Sequence, residues 1–228
     1  MPPENCENPL RETGKTLLIT GFEPFDHADI NASWQAVKAL PEQIGEWKLV
    51  KKEIPVVFEQ AAQMVLKEAE AIKADALICC GLNGKADAIH LEYLAVNLRH
   101  ARIPDNSGQQ PLQKRICEDG PLALESRLPV FEAEKRLKEA GIPAAVSFSA
   151  GTYVCNDVMY QILQHCQTHE IPGGFVHIPP LADLPARREE QAETEESGKA
   201  NPNEAQTQIA PMSLEQAVKG LSLLVEML

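Results

Sequence analysis

Short apolar runs that end in glycine alternate along the chain with amphipathic stretches of helical period. Residues 16–21 and 76–81 are the clearest of these runs, and each predicts a short buried strand. Residues 33–40 predict a helix with Asn31 or Ser33 as its N-cap. The same reasoning predicts further strands at 48–58, 90–98, 144–149 and 174–178, and further helices at 59–73, 130–140 and about 155–168. Strands that alternate with helices in this way predict an α/β fold with a largely parallel sheet.

Three segments depart from this alternation. Residues 1–15 are polar with two adjacent prolines, which predicts a flexible N-terminal extension, and residues 102–126 predict a long ordered loop. Residues 184–211 contain no aromatic side chain and too little apolar surface to offset the entropy of ordering, so a disordered insertion is predicted. Order resumes at Ser213, where Gln216 completes a possible capping box for a last helix. We therefore predict one domain, 16–228, interrupted by the insertion.

The composition is that of an acidic globular protein. Lys and Arg number 21 and Asp and Glu number 33, which gives a formal net charge of −12 in 228 residues. Such a surface argues against nucleic acid and anionic membranes as partners. No apolar run approaches the roughly 18 residues that would cross a bilayer. The first residues lack the basic start and apolar stretch of a signal peptide. These features predict a cytoplasmic protein.

The six cysteines are expected to be free thiols in that compartment. No Cys-x-x-Cys pair occurs, which excludes a zinc ribbon and a thioredoxin motif. Cys155 is distinctive because it follows Gly151 at the point where a predicted strand turns into a helix. The N-terminus of a helix favours the nucleophilic thiolate, and its N–H groups can stabilise an oxyanion. A buried structural cysteine is the alternative that position alone leaves open.

A thiol nucleophile needs a base, and the base needs an orienting group. His177 lies in a short apolar strand, where a structural histidine is common but a catalytic base is also found. Glu92 lies in another apolar strand and needs a partner if it is buried. Cys155, His177 and Glu92 would together complete a Cys-His-acid triad. His165 and His169 could mimic a metal-binding pair on one helix, but no third ligand is evident and no metal is predicted.

Three further residues are candidates for substrate contacts. Arg102 precedes a turn-forming stretch, where it could pair with a surface acid or act as an electrophilic donor over the site. Phe22 and Phe25 follow the first strand on a loop, where they either fold back into the core or line an apolar pocket.

Five groups of residues, in chain order, carry a resemblance to a known family. They are residues 20–25 with 31–34, residues 91–92 with 95–97, residues 101–106 with 108 and 110–111, residues 150–156, and residues 174–179. The first reads TGFEPF with NASW, the second LE with AVN, the third ARIPDN with G and QP, the fourth AGTYVCN and the fifth GFVHIP. With them the sequence resembles the type I pyroglutamyl peptidases, or pyrrolidone-carboxylate peptidases, a family of cysteine omega-peptidases.

The resemblance implies a fold, an activity and a set of site residues. The fold is a single three-layer α/β/α domain with a twisted mixed, largely parallel sheet, related to nucleoside phosphorylases. The activity is removal of an N-terminal pyroglutamyl residue from peptides, with no metal and no organic cofactor. Cys155 aligns with the nucleophile, His177 with the general base and acid, and Glu92 with the group that orients the histidine. Arg102 falls near the oxyanion, and the substrate pocket falls at Phe22, Phe25, Ile103, Tyr153 and Val154.

Some positions depart from the family pattern and motivate alternatives. The loop at Asp26 and His27 lacks two usual glycines, the segment 81–86 lacks a glycine and an arginine, and Tyr93 replaces an arginine. A non-catalytic relative that binds pyroglutamyl peptides or a protein partner is therefore one alternative. A nucleoside phosphorylase-type enzyme is another, although no glycine-rich loop flanked by basic residues is apparent. The family resemblance also implies a homo-oligomer, a dimer or a tetramer.

Overall fold

A computed structural model describes residues 14–26, 28–184 and 212–228 of the chain. Most of the predicted extension and insertion, together with His27, lies outside these ranges. Strands β1–β9 are Lys15–Phe22, Gln43–Ile44, Trp47–Ile54, Ala76–Leu82, Ile89–Glu92, Leu94–Val96, Ala123–Glu125, Ala144–Ser147 and Gly173–Ile178. Helices α1–α5 are Ala32–Ala39, Gln60–Ile72, Val130–Glu139, Val154–His169 and Leu214–Val225.

Seven of the strands form one mixed sheet in the order β2-β3-β1-β4-β9-β5-β8. The neighbours β3, β1, β4 and β9 run parallel, whereas β5 is antiparallel to β9 and parallel to β8. The short strands β6 and β7 pair with each other in a separate two-stranded sheet. The predicted α/β fold with a mixed, largely parallel sheet is confirmed.

The sheet is the middle of three layers because alternate residues of its central strands face opposite sides. Leu77, Cys79 and Phe175 belong to a core that is shared with α2 and α4. Ile78 and Val176 belong to a second core, which is shared with α1, α3 and α5. Both faces of β4 and β9 are therefore buried, which explains their continuous apolar sequences.

Two helix starts follow the capping rules that the sequence predicted. Asn31 caps α1, since its side-chain oxygen accepts a hydrogen bond of 3.0 Å from the Ser33 N–H. Ser213 and Gln216 form the predicted capping box at α5. Both satisfy N–H groups that a helix cannot satisfy internally.

Two predicted strands end earlier than expected. The strand predicted at 48–58 ends at Ile54, because Pro55 has no N–H for the ladder and side chains bond the N–H groups of Val56 and Phe58 instead. The strand predicted at 90–98 is divided between β5 and β6, which belong to different sheets. The alternating pattern continues across the break and cannot reveal the change of partner.

The flanks of the predicted insertion lie side by side. The Ala182 N–H donates to the carbonyl of Met212 at 2.9 Å, and the Leu214 N–H donates to the Asp183 carboxylate at 2.7 Å. The chain therefore leaves the domain and returns to it at one place. In the described parts of the chain, no helix is both long enough and apolar enough to cross a membrane.

Candidate active site

His177 and Glu92 come from β9 and β5, which are neighbouring strands that run in opposite directions. Glu92 pairs with Phe175 across the β5–β9 ladder, and His177 lies two residues beyond Phe175 on the same face. The Nδ1 atom of His177 lies 2.7 Å from Oε1 of Glu92. The two side chains are only 8% and 1% exposed. A buried carboxylate therefore holds the imidazole in one orientation and leaves Nε2 free for another partner.

Cys155 reaches the same place from α4. Gly151 precedes the helix with φ of +78°, a left-handed turn that glycine adopts without strain, and no side chain caps the helix start. Cys155 is the second residue of α4, beside main-chain N–H groups that lack intrahelical partners. A Cβ atom on Gly81 would lie 3.0 Å from the Cys155 Sγ, and Gly81 is the β4 residue paired with His177. A missing side chain in β4 thus makes room for the sulfur beside the imidazole.

The protonation of His177 reflects these neighbours. Burial by itself lowers the pKa of the imidazole, since it disfavours the charged form. The negative charge of the Cys155 sulfur, a hydrogen bond with that sulfur, and the hydrogen bond and charge of Glu92 oppose burial and raise the pKa of His177 to about 9. The imidazolium form of His177 is thus favoured over the neutral ring at neutral pH.

Arg102 lies on a loop that is anchored beside the site. Its carbonyl accepts a hydrogen bond of 3.0 Å from Gln110. Its side chain is exposed, and its guanidinium forms no hydrogen bond or ion pair with the residues that the structure describes. The surface ion pair that the sequence left open is therefore absent among those residues, and the guanidinium is available to a ligand.

The predicted pocket residues fall into two groups. Phe25, Ile103 and Tyr153 are partly exposed, and the rings of Phe25 and Tyr153 lie 6.5 Å apart between centroids. The Tyr153 hydroxyl donates to the Pro104 carbonyl at 2.9 Å, which places Ile103 beside this aromatic wall. Phe22 and Val154 are instead buried in the core between the sheet and α2 and α4, with exposures of 2% and 0%.

Several polar residues that anchor the site were not predicted from the sequence. Asn156 is completely buried, and its side chain bonds the N–H and C=O of Val96 and the C=O of Leu98. Asp105 accepts hydrogen bonds from the N–H groups of Phe58, Ser107 and Gln109, which lower its pKa against the opposing effect of burial. Asp157 is also completely buried, next to Arg99. For Asn156 and Asp157, polar residues in an otherwise apolar segment are the signal that could have identified them.

His165 and His169, the histidine pair on α4, do not form a metal site with other described residues. The rings of His165 and His169 stack with centroids 4.0 Å apart, and Nδ1 of His169 lies 2.9 Å from the carbonyl of His165. No group of three or more potential ligands surrounds them or occurs elsewhere in the described ranges.

The fold and the site together define a class of protein. A thiol at a helix start, hydrogen-bonded to a histidine that a buried carboxylate orients, is the arrangement of cysteine-dependent hydrolases. A sequence model of the pyroglutamyl peptidase family matches residues 15–227. The chain belongs to this family.

Individual relatives agree with the family match. The pyrrolidone-carboxylate peptidases of Bacillus mycoides and Bacillus cereus are 41% and 42% identical to it over 172 residues, which are 74% of this chain and 80% of theirs. The pyrrolidone carboxyl peptidase of Thermococcus litoralis superposes with a TM-score of 0.80 at 36% identity, covering 93% of this chain and 92% of that one. Pyroglutamyl peptidase I of Bacillus amyloliquefaciens gives 0.78 at 34% identity, with 93% and 96% covered.

These comparisons confirm the predicted family and the predicted enzyme class, pyroglutamyl-peptidase I. A Cys155 thiol directed away from His177 would favour the alternative of a non-catalytic relative, whereas the two side chains are hydrogen-bonded. The homo-oligomeric state and the cytoplasmic location stay predictions.

Proposed function

We propose that this protein hydrolyses the bond after an N-terminal pyroglutamyl residue, with Cys155 as nucleophile, His177 as base and acid, and Glu92 as the orienting group. The observation that carries the proposal is the continuous contact from the Cys155 thiol to His177 and from His177 to Glu92 over 2.7 Å. Each partner comes from a different element, α4, β9 and β5, so local sequence preference does not explain their meeting.

In the first half of the reaction, the Cys155 sulfur attacks the carbonyl carbon of the pyroglutamyl residue and forms a carbon–sulfur bond. The carbonyl oxygen becomes an oxyanion, which the N–H groups at the start of α4 and the Arg102 guanidinium stabilise. The imidazolium of His177 then gives its proton to the leaving amine nitrogen. The carbon–nitrogen bond breaks, the shortened peptide departs, and a pyroglutamyl thioester remains on Cys155.

In the second half, His177 is neutral and accepts a proton from a water molecule. The resulting hydroxide attacks the thioester carbonyl, and the carbon–sulfur bond breaks to release pyroglutamate. The sulfur leaves as thiolate while His177 keeps the proton, which restores the starting ion pair. Glu92 stabilises this imidazolium and fixes its ring in both halves.

The proposed pocket suits the chemistry of the substrate. A pyroglutamyl ring is compact, uncharged and partly apolar, so it needs an aromatic wall and a few hydrogen bonds rather than a counter-ion. The partly exposed wall consists of Phe25, Tyr153 and Ile103. Phe25 and Tyr153 pack against the buried core that contains Phe22 and Val154. A net charge of −12 is compatible with such a neutral recognition site.

Release of a fluorescent amine from a pyroglutamyl amide tests the proposal. Cys155→Ala is expected to lower kcat/KM by at least about 10³-fold, because the thioester can no longer form. Cys117→Ala is the matched control, since Cys117 is another partly exposed thiol, and it is expected to retain activity.

Two results would contradict the proposal. Turnover that persists in Cys155→Ala would exclude Cys155 as the nucleophile. An unaltered protein that binds a pyroglutamyl amide without releasing the amine would instead identify a non-catalytic binding protein.

A further inference from the structure

The turn that begins α2 has a strained main chain. Glu59 has φ of +64° and ψ of −51°, and the Gln60 N–H donates to the Phe58 carbonyl at 2.7 Å. These values describe a γ-turn of the rare positive-φ kind, which is unfavourable for a residue with a Cβ atom. Such conformations persist where surrounding contacts enforce them.

Those contacts come from a buried ion pair, Asp157 with Arg99, and from its bonds to Glu59; we call these three residues the Asp157 clamp. One carboxylate oxygen of Asp157 accepts the Glu59 N–H at 2.9 Å, and the other accepts Nε of Arg99 at 2.7 Å. Arg99 Nη1 also lies 2.6 Å from the Glu59 carboxylate. Because Asp157 is fully buried and Arg99 is 11% exposed, the pair is shielded from water and salt.

The strained turn supports the predicted pocket wall. Phe58 is 2% exposed, and its ring meets the Tyr153 ring edge-on with centroids 5.3 Å apart. Tyr153 is fixed on its other side by the hydrogen bond to Pro104, and it lies two residues before Cys155. The clamp and the wall also share one helix, because Asp157 follows Cys155 by two residues on α4.

We propose that Asp157 and Arg99 are positioning residues for substrate binding, which hold the strained Glu59 turn so that Phe58 supports Tyr153 against the pyroglutamyl ring. The inference rests on the proposed function. Neither residue touches the reacting atoms, so loss of the clamp weakens binding of the ring equally in the ground state and the transition state. Such a loss raises KM and leaves kcat nearly unchanged.

Asp157→Asn tests the inference, because an amide has one acceptor oxygen, whereas the carboxylate accepts from three donors, the Glu59 N–H, Arg99 Nε and Gln161 Nε2. We expect KM for a pyroglutamyl amide to rise about tenfold, because that factor corresponds to the free energy stored in one strained residue. We expect kcat to stay within about twofold. Adding Glu59→Gly should return KM to within about threefold of the unaltered protein, since glycine adopts positive φ without strain. Adding Glu59→Ala, which also removes the carboxylate but keeps the strain, should not.

The same glycine and alanine variants give a second readout if Asp157→Asn does not fold. With Asp157 intact, the strain at position 59 should make Glu59→Gly melt at a higher temperature than Glu59→Ala. A higher melting temperature for the alanine variant would overturn the inference. An Asp157→Asn protein with unchanged KM, or with reduced kcat that glycine does not rescue, would overturn it as well. Absence of turnover in the unaltered protein would contradict the proposed function instead.

Discussion

The carboxylate of Glu92 acts on the imidazole at very short range. It is 1% exposed, its Oε1 atom bonds His177 at 2.7 Å, and its Oε2 atom has no hydrogen-bond partner among the described residues. A buried carboxylate with one unpartnered oxygen depends strongly on the positive charge of its remaining partner. The Glu92–His177 contact therefore favours the imidazolium over the neutral ring.

This dependence gives a prediction for the pH profile. The pKa of His177 is raised to about 9 in part by the hydrogen bond and charge of Glu92, so the imidazolium persists to about pH 9. We expect kcat/KM to fall above that pH as the acid for the leaving amine is lost. In Glu92→Gln the pKa of His177 drops, so this alkaline limb should move to lower pH, and kcat should fall by roughly 10²-fold or more.

Glu125→Gln is the control for that measurement. It removes an exposed carboxylate that bonds Tyr93 and not His177, so the alkaline limb should stay in place. An unshifted limb in Glu92→Gln would show that Glu92 does not tune the imidazole.

Gly81 leaves room for the Cys155 sulfur because it has no side chain. A methyl group there would lie 2.9 Å from Cζ of Phe175 and 3.0 Å from the Cys155 Sγ. Gly81→Ala should therefore displace the sulfur and lower kcat by roughly 10- to 100-fold, since displacement of a reacting atom by about 1 Å can cost that much. Gly84→Ala is the matched control in the following loop, where a Cβ meets nothing within 4 Å. Amide release and thermal melting measure both variants, and equal kcat values for the two would contradict the argument.

At the scale of elements, the start of α4 collects most of the polar contacts of the site. Asn156 bonds the main chain of Val96 at the end of β6 and of Leu98 just beyond it, and Asp157 bonds the turn before α2. Cys155 lies directly before them. The position of the thiol is consequently set by two loops in addition to its own helix, and both loops are held by side chains that face inward.

The same contacts explain which elements the sequence could predict. The strands and helices around the site follow from local periodicity and from caps such as Asn31 and Ser213, which act within a few residues. The break after Glu92 does not, because there the Tyr93 carbonyl accepts from the Ser126 N–H and the chain pairs with β7, both far along the sequence. The γ-turn at Glu59 depends in the same way on Asp157, 98 residues away.

The candidate triad could be proposed from residue types and the family resemblance, but its geometry could not. Cys155, His177 and Glu92 meet only because β5 is inserted antiparallel beside β9, and strand order in a sheet is not encoded in local patterns. The exposure of Arg102 and the burial of Phe22 and Val154 likewise depend on packing between distant segments.

For the molecule as a whole, the three layers divide its thiols into protected and accessible groups. Cys79 and Cys80 lie on opposite faces of β4, and Cys166 lies on the inner side of α4. Burial raises the pKa of Cys79 and of Cys166 to about 12, and it raises the pKa of Cys80 strongly. Protonated, enclosed thiols react slowly with electrophiles, since the thiolate is the reactive form.

An alkylating agent applied near neutral pH should therefore react with the thiol of the active site and not with the thiols enclosed between the layers. We expect loss of activity to follow modification of Cys155, while Cys79, Cys80 and Cys166 stay unmodified until denaturant is added. Peptide mass spectrometry beside the amide-release assay measures both, and Cys117→Ala removes the other partly exposed thiol of the described ranges from the count. Inactivation without modification of Cys155, or modification of the three buried thiols in folded protein at a similar rate, would contradict this division, because either result requires the sheet and α4 to separate under native conditions.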